Sequence, residues 1–434
     1  MKALALRAED KNIWEKRTPL IPDHIATLLA DHEFSILVEP SSRRIFPEAE
    51  FTAVGAQVTD NIDQADIIIG IKEIPPAKIY PNKVYLFFSH TIKGQAGNMP
   101  LLQKILDSGS TLLDYEKIID EHKRRILYFG KFAGDAGAVD ILWLIGQELR
   151  RLHLPSPLSH IKQALSYKSL AHAQQEIRPL GDQVRTQGYP EMLTPFVVGI
   201  FGYGNVSQGA QEIFELFPHL RVEPEDLPAL YSQKNYDNKT LYLSVFHEHH
   251  MVKPKSGRSF SLQDYYQNPQ HYEPITAFYL PYLKCIVNAV FWNNQYPHFV
   301  SQADVRHLFA STSPAPFLAI ADVSCDLLGA METTVKITDP GAPAYKYNPL
   351  TSKISEDFDQ EGILVLAVDN LPCEFAYDSS VFFSAILKDM IPALLDADFS
   401  QPLPETGLPA YLQRAVVALR GELTPDFLYL NKYL

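Results

Sequence analysis

The sequence predicts an α/β fold in which two doubly wound parallel sheets, each covered by helices, flank a cleft. Short apolar runs rich in β-branched and aromatic residues recur along the 434 residues, and amphipathic helical segments lie between several of them. Runs that are hydrophobic along their whole length are typical of strands buried on both faces, as in a parallel sheet covered by helices. The length favours at least two domains, because single cores rarely grow beyond about 250–300 residues.

The first third of the chain alternates between strand and helix candidates. Helical patterns occupy 21–33 and 98–109, and a longer helix is expected over 135–152, where basic residues in the last turn complement the helix dipole. The end of the chain, from about residue 379, is predicted to be helical. The strand candidates of this block are 3–8, 34–40, 66–72, 83–90 and 110–116.

A second alternating block begins near residue 194. Its first strand candidate, within 195–204, runs into a glycine turn, and an amphipathic helix is expected over 205–217. The later strand candidates are 240–246, 283–292, 317–324 and 362–372.

Composition excludes several classes of protein. The formal net charge of −13 repels phosphate backbones, so nucleic acid is not an expected partner. The three cysteines form no CxxC pair and are expected to be reduced thiols. We find no signal-peptide pattern and no uncharged apolar run of membrane-spanning length, so a cytoplasmic protein without membrane contact is expected.

The glycine turn follows a strand and opens a helix, which is the context that a dinucleotide site requires. Gly202 and Gly204 would let the backbone approach a pyrophosphate, whose charge would lie at the helix N-terminus beside Asn205 and Val206. Tyr203 lies between the glycines. The sequence therefore predicts nicotinamide dinucleotide binding at this turn, with a plain strand-to-helix turn as the alternative.

Two residues beyond the helix bear on the choice of nucleotide. Glu223 lies near the end of the expected second strand, where a carboxylate bonds ribose hydroxyls and favours NAD(H). Arg221 beside it favours the 2′-phosphate of NADP(H). NAD(H) and NADP(H) therefore both remain candidates for the cofactor, and NADPH is the one expected in the reductive direction.

Three ionisable residues each end an apolar run in the first block. Lys72, His90 and Glu116 follow successive strand candidates, and ligands of open parallel sheets bind beyond the carboxyl ends of the strands. If these strands are neighbours, a spacing of about 4.8 Å per strand brings the three side chains within reach of one ligand. We therefore predict that Lys72 and His90 form an acid–base pair, with ordinary strand termini as the alternative.

Charged neighbours suggest how this pair would work. Glu73 and Glu116 are predicted to tune the pair and to raise the pKa of Lys72, which would make Lys72 the acid and His90 the base. The cations Arg17, Lys93 and Arg125 could hold substrate carboxylates. The histidines of "FHEHHMVK" do not form an HExxH pattern, and no metal is expected.

Seven motifs occur in order along the chain and together carry a family resemblance. They are "WEKRTPLIP", "GIKE", "FFSHTIKGQAGNM", "LLDYEKI", "GYGNVSQGAQEIF", "DVSCD" and "VDNLP". The sequence resembles the lysine–ketoglutarate reductase domain of the bifunctional aminoadipic semialdehyde synthases. That domain is similar to NAD-dependent saccharopine dehydrogenase and, more distantly, to alanine dehydrogenase.

The resemblance implies two Rossmann-like domains. One would comprise 1–134 and 373–434 and carry the substrate site, and the other would comprise 135–372 and bind the dinucleotide through the glycine turn and Asp322. It implies an NAD(P)-dependent oxidoreductase that condenses L-lysine with 2-oxoglutarate and reduces the imine to saccharopine, or runs the reverse reaction. A homodimer is possible in such a family.

The chain departs from the family pattern after Asp322. The threonine and serine expected near the nicotinamide are Leu327 and Ala330 here. Two alternatives therefore stay open: an opine- or alanine-dehydrogenase-like enzyme with another amine donor, and a catalytically impaired homologue that binds nucleotide and regulates a partner.

Overall fold

The computed structural model describes residues 2–311 and 318–434, and the chain divides into two compact units. Unit 1 comprises Met1–Phe129 and Ala376–Leu434, and unit 2 comprises Gly130–Phe375. These boundaries lie a few residues from those expected from the sequence.

The first segment of unit 1 contains six strands and three helices. Five of its six strands follow the predicted apolar runs; the exception is the two-residue edge strand β3. Strands β1, β5 and β6 are buried along their whole length. The bounds are β1 Ala3–Leu6, α1 Pro22–Asp31, β2 Ser35–Val38, α2 Glu48–Ala53, β3 Gln57–Val58, β4 Ile67–Ile69, β5 Val84–Phe87, α3 Met99–Asp107 and β6 Thr111–Asp114.

Unit 2 begins with the long helix and contains the second alternating block. Residue 317 of the predicted strand 317–324 lies outside the described residues. Residues 319–322 of this run form the strand β13. The bounds are α4 Gly130–Arg151, α5 Leu170–Gln187, β7 Phe196–Phe201, α6 Asn205–Phe214, β8 His219–Arg221, α7 Leu227–Ser232, β9 Leu241–Phe246, α8 Glu248–Met251, β10 Val252–Pro254, α9 Leu262–Gln267, β11 Tyr272–Pro274, β12 Cys285–Asn288, α10 Gln302–Ser311, β13 Ala319–Asp322, β14 Ala344–Asn348, β15 Lys353–Ser355 and β16 Ile363–Leu366.

The last segment returns to unit 1, where it begins with α-helices and ends with a 3₁₀-helix, Pro425–Lys432, but has a β-hairpin between them. Helices α11 Ala376–Leu387, α12 Ile391–Asp396 and α13 Ala410–Gln413 are followed by β17 Val416–Leu419 and β18 Glu422–Leu423. The prediction of helix to the end is therefore wrong. Arg420 and Gly421 both have positive φ, which is the turn geometry that closes a two-residue β-hairpin.

The sheet of unit 1 has the order β18-β17-β6-β5-β4-β1-β2-β3. Strands β1 to β6 pair in parallel, whereas β17 pairs antiparallel with β6. Because β4, β5 and β6 are neighbours, the loops after them leave one edge of the sheet side by side. The α/β fold class expected from the sequence is confirmed, with an antiparallel edge that the sequence did not reveal.

The main sheet of unit 2 has the order β15-β14-β16-β13-β12-β7-β9-β8. Its strands pair in parallel except at β14, which is antiparallel to both of its neighbours, β15 and β16. Strands β10 and β11 form a separate antiparallel pair. In the usual dinucleotide-binding sheet the second strand adjoins the first and the third lies outside it. Here β9 adjoins β7, and β8, which precedes β9 in the chain, lies at the edge.

Helices α4 and α6 pack closely against each other because glycines lie at their contact. A Cβ added at Gly134 would lie 1.8 Å from the Val206 carbonyl oxygen, and one added at Gly209 would lie 2.1 Å from the Lys131 carbonyl oxygen. No side chain fits at either position without separating the helices. This contact fixes the first turn of α6, which follows the glycine turn. None of the described helices is long and apolar enough to cross a membrane.

We expect Gly209→Ala to lower the free energy of unfolding by about 1–3 kcal/mol, the scale of an overpacked core. Gly204→Ala is the matched control, because a Cβ at Gly204 meets no atom within 4 Å. Urea denaturation followed by circular dichroism measures both variants. Equal midpoints for the two would contradict the close α4–α6 contact.

Candidate active site

The three predicted strand-end residues of unit 1 do follow neighbouring strands. Lys72 comes after β4, His90 after β5 and Glu116 after β6, and these strands pair in parallel register. The prediction that the strands are neighbours is confirmed. Their functional groups therefore emerge at one edge of the sheet.

His90 is held by Glu73, the residue after Lys72. The His90 Nδ1 lies 3.0 Å from the Glu73 Oε1, and the Lys11 Nζ lies 3.1 Å from the same oxygen. Burial of Glu73 raises its pKa, but the hydrogen bond and charge of His90 and the charge of Lys11 lower it to about 2. An ionised carboxylate only accepts hydrogen bonds, so Nδ1 carries the proton. Nε2 is therefore the nitrogen that can exchange a proton with a substrate.

The pKa of Lys72 is lowered, not raised. Burial is the largest cause, and the positive charges of Arg17 and Lys11 add to it, whereas Glu15 and Glu73 oppose it. The prediction that nearby carboxylates raise this pKa is wrong, because desolvation of the ammonium outweighs their attraction. A lysine in this environment releases its proton more readily than an exposed one.

The predicted substrate-binding cations differ in their surroundings. Arg17 is 2% exposed; its guanidinium makes a two-point contact with Glu15, at 2.8 and 2.6 Å, and lies 4.3 Å from the centroid of the Phe129 ring. Arg125 is exposed and its Nη2 lies 2.8 Å from the Glu116 Oε1.

Lys93 is exposed in the loop that follows His90. Of the three predicted cations, Arg17 is thus buried beside the acid–base pair, and Arg125 and Lys93 are accessible from solvent.

A buried carboxylate, Glu9, fixes the loop that carries Lys72. Glu9 follows β1, and it accepts the backbone N–H groups of Ile71 at 2.6 Å and Lys72 at 3.0 Å. Burial raises its pKa to about 7, against the charge of Arg7 and these two hydrogen bonds. Glu9 is therefore a positioning residue for Lys72.

Asp114 plays the same part for His90. Asp114 ends β6 and is fully buried, and this burial raises its pKa. Its Oδ2 accepts hydrogen bonds from the backbone N–H of Ser89, at 3.0 Å, and from the Ser89 hydroxyl. Its Oδ1 accepts the backbone N–H of Glu116 at 2.8 Å. One side chain thus ties together the loops after β5 and β6. His90 itself has a φ of +51°, an uncommon conformation that this network holds.

The glycine turn in unit 2 has the geometry of a dinucleotide cradle. Gly202 has a φ of +93°, and a Cβ there would lie 2.9 Å from the Val290 Cγ1, so only glycine fits. Gly204 opens onto free space, and both glycines line a cavity of about 290 Å³. Asn205 and Val206 begin α6, whose N-terminal N–H groups suit a pyrophosphate. These residues fit a bound dinucleotide.

The two residues predicted to choose the nucleotide lie beside the edge strand β8. The Arg221 Nη1 donates to the Gln211 Oε1 at 2.7 Å, and its Nη2 pairs with Glu215, so the guanidinium ties β8 to α6. Glu223 lies two residues beyond β8 and is exposed. The Tyr203 ring is stacked on His247 at a centroid distance of 4.3 Å. Tyr203, Arg221 and Glu223 line one cavity of about 350 Å³.

Asp322, predicted to bind the cofactor, ends β13 and is 1% exposed. Its Oδ1 accepts from the Asn288 side-chain amide and the Ser324 hydroxyl, each at 2.8 Å, and its Oδ2 accepts from the Thr334 hydroxyl at 2.6 Å. Burial raises its pKa. Its carboxylate holds the end of β12 and the segment beyond β13, much as Glu9 and Asp114 hold loops in unit 1.

The histidine cluster has a hydrogen-bonding arrangement unsuited to a metal. Glu225, His249 and His250 bring ligand atoms within 4.8 Å of one another. However, the His250 Nδ1 accepts the backbone N–H of His247 at 3.0 Å, so its Nε2 carries the proton and points to the Glu225 Oε1 at 3.0 Å. A metal-binding imidazole normally donates from the nitrogen that does not bind.

Sequence reasoning missed the residues that position the site. Four residues act on Lys72 and His90: Glu9, Lys11, Glu15 and Asp114. Of these, only Asp114 could have been found from the sequence, because it is an acid at the end of the apolar run "TLLD". An acid at the end of a buried strand needs donors, and the following loops supply them.

Comparison with known proteins gives a family match for part of the chain and a shared fold. Residues 5–136 match the family described as alanine dehydrogenase/PNT, N-terminal domain. The solved structure of an L-alanine dehydrogenase superimposes with a TM-score of 0.60, at 16% identity and 99% coverage of both chains, which shows a shared fold.

Two curated relatives extend the comparison. The chain is 37% identical to alpha-aminoadipic semialdehyde synthase of Arabidopsis thaliana over 99% of its own length and 41% of the relative's. It is 38% identical to saccharopine dehydrogenase [NAD(+), L-lysine-forming] of Neurospora crassa over 31% of its own length and 37% of the relative's. It thus spans less than half the length of the first of these relatives. The resemblance expected from the motifs is confirmed: this chain is similar over nearly its whole length to alpha-aminoadipic semialdehyde synthase, and its residues 5–136 match the alanine dehydrogenase/PNT N-terminal domain.

Proposed function

We propose that the chain is an NAD(P)-dependent oxidoreductase acting on CH–NH bonds, which condenses L-lysine with 2-oxoglutarate reductively to saccharopine, or runs the reverse oxidation. The observation that carries the proposal is the pair of proton-exchanging groups, Lys72 and His90, on neighbouring strand ends, with His90 paired with Glu73. The name of the Neurospora crassa relative, saccharopine dehydrogenase [NAD(+), L-lysine-forming], supports the choice of saccharopine as the compound formed or consumed.

Reductive amination needs two proton transfers that these side chains can perform. A base accepts the proton lost when the amine attacks the ketone, and an acid helps to expel water. His90 is the base through Nε2, because Glu73 occupies Nδ1. Lys72 is the acid, because burial and the charges of Arg17 and Lys11 make its ammonium a stronger proton donor. The role matches the sequence prediction, but for the opposite electrostatic reason.

A nicotinamide dinucleotide, when bound, supplies or accepts the hydride. Gly202, Tyr203, Gly204, Asn205 and Val206 would hold it at the start of α6. The exposed cations Lys93 and Arg125 are suited to the carboxylates of 2-oxoglutarate and saccharopine. A cytoplasmic location and a homodimer stay predictions.

The proposal is tested with purified protein, NADH or NADPH, 2-oxoglutarate and a panel of amines, followed at the nicotinamide absorbance. We expect oxidation of the reduced nucleotide that depends on L-lysine and yields saccharopine by mass spectrometry. Turnover only with another amine would favour an opine- or alanine-dehydrogenase-like enzyme. Nucleotide binding without turnover of any amine would favour a regulatory homologue.

We expect Lys72→Met and His90→Gln each to lower kcat by roughly 10²–10⁴-fold, the scale of losing a positioned acid or base. Each variant should lose one limb of the pH–rate profile and keep its affinity for the nucleotide. Lys104→Met and His122→Gln, at exposed positions, are the matched controls. If both active-site variants turn over like the controls, the strand ends are structural.

The lowered pKa of Lys72 sets the alkaline limit of activity. An acid is active while protonated, so kcat should fall as pH rises through a pKa below the ordinary lysine value of about 10.4. Lys11→Met removes a positive charge that lowers this pKa, and should therefore move the alkaline limb of the pH–kcat profile to higher pH. A limb that stays in place, or moves to lower pH, would contradict the assignment of Lys72 as the acid.

A further inference from the structure

The two residues that flank Lys93 in the chain both contact one distant segment of unit 1. The Tyr429 hydroxyl donates a hydrogen bond to the backbone carbonyl oxygen of Ile92 at 2.5 Å. The Tyr433 ring lies directly against Gly94, because a Cβ added at Gly94 would meet the Cδ2, Cε2 and Cζ atoms of that ring. The backbone on each side of Lys93 is therefore held by a tyrosine.

Lys93 itself lies in a tight turn. The Gly94 backbone N–H donates to the Thr91 carbonyl oxygen at 2.9 Å, and Gly94 has a φ of +67°, a conformation that favours glycine. Because Gly94 has no side chain, the Tyr433 ring packs on the backbone of the turn. The Lys93 side chain is exposed, so the turn presents an accessible ammonium on a backbone that is held on both sides.

The segment that carries the two tyrosines is anchored in the core of unit 1. Tyr429 lies in the 3₁₀-helix Pro425–Lys432, and Tyr433 follows this helix directly. Phe427 and Leu430, three residues apart on one face of the helix, are buried in the core. The Tyr433 backbone N–H donates to the Leu430 carbonyl oxygen at 2.9 Å, so buried Leu430 fixes the backbone of Tyr433.

The same loop is fixed at both of its ends by other residues. The Thr91 hydroxyl lies 2.7 Å from the Ser89 hydroxyl, which in turn donates to Asp114. At the far end, the Asn98 side-chain amide donates to the His90 carbonyl oxygen at 3.1 Å. The two tyrosines supply the contacts in the middle of the loop, where the exposed ammonium lies.

We propose that Tyr429 and Tyr433 are positioning residues for Lys93 and thereby raise the affinity of the protein for its dicarboxylate oxoacid. A lysine on an unsupported turn loses backbone and side-chain freedom when it binds a carboxylate, and this entropic cost weakens binding. Contacts that hold the turn beforehand reduce the cost. The inference rests on the proposed function, in which Lys93 binds a carboxylate of 2-oxoglutarate.

The test measures binding of 2-oxoglutarate to the full chain by isothermal titration, with NADH or NADPH present and without amine. Lys93→Met should weaken binding roughly tenfold or more, the scale of one hydrogen bond to a charged group. Tyr433→Ala should weaken it roughly three- to tenfold, near the cost of ordering one side chain. Tyr433→Phe keeps the ring and should bind like the wild type.

A double variant separates positioning of Lys93 from a general loss of structure. If Tyr433 acts through Lys93, Tyr433→Ala combined with Lys93→Met should bind within about twofold of Lys93→Met alone, because effects of coupled residues do not add. Leu428→Ala, at an exposed position of the same helix, is the matched control and should bind like the wild type. Thermal unfolding midpoints and nucleotide affinities show that each variant is folded.

Tyr429→Phe provides a second test that does not depend on the folding of Tyr433→Ala. It removes one hydrogen bond to the turn and keeps the ring, and we expect weaker 2-oxoglutarate binding, again lost as a separate effect in the Lys93→Met background.

Wild-type affinity in Lys93→Met or in both tyrosine variants, or losses that multiply in the double variant, would overturn the inference alone. Binding of 2-oxoglutarate that depends on these tyrosines, without turnover of L-lysine, would leave it standing and count against the proposed function. If the wild-type protein does not bind 2-oxoglutarate, both fail.

Discussion

Buried carboxylates at the carboxyl ends of parallel strands hold the functional loops of this protein. Glu9, Asp114 and Asp322 each end or follow a strand, and each accepts hydrogen bonds from the loops beside it. Leaving such a strand-end loop without partners would cost the desolvation of its N–H groups. A carboxylate accepts several donors at once, so Asp114 alone fixes the loops after β5 and β6. Burial raises the pKa of all three, which shows that the hydrogen bonds work against a desolvation cost.

This arrangement explains how Lys72 and His90 are positioned. Glu9 accepts the backbone N–H of Lys72. Asp114 accepts the backbone N–H groups of Ser89, after β5, and of Glu116, after β6. Lys72 and His90 therefore both lie on loops that are fixed by hydrogen bonds to a carboxylate. Catalytic groups need such support because a displacement of about 1 Å costs much of their effect. The same burial lowers the pKa of Lys72, so the anchoring of the loop and the tuning of its side chain have one origin.

In unit 2, close contacts between backbone segments position the glycine turn and the start of α6. Gly134 and Gly209 let α4 and α6 touch, and Gly202 lets the chain turn against Val290. The start of α6 is thereby held where the carboxyl ends of β9, β7 and β12 meet. The exchange of β8 and β9 in the sheet places β9 beside β7 and leaves β8 at the edge.

The sequence by itself determined the elements and their local chemistry. Apolar runs predicted the inner strands of the two large sheets, and the glycines predicted the turn after β7. The ends of three runs predicted Lys72, His90 and Glu116 as a group. These features depend on residues close together in the chain, so hydrophobic pattern and turn chemistry suffice to predict them.

Tertiary structure alone decided the rest. The hairpin of β17 and β18, the edge position of β8, the anchoring by Glu9 and the lowered pKa of Lys72 depend on which distant segments lie side by side. A run of apolar residues specifies burial but not its neighbour in the sheet, and a charge responds to the groups around it in space. Lys72 shows the difference most clearly, because its sequence neighbour Glu73 would raise its pKa, whereas its burial and the distant Arg17 lower it.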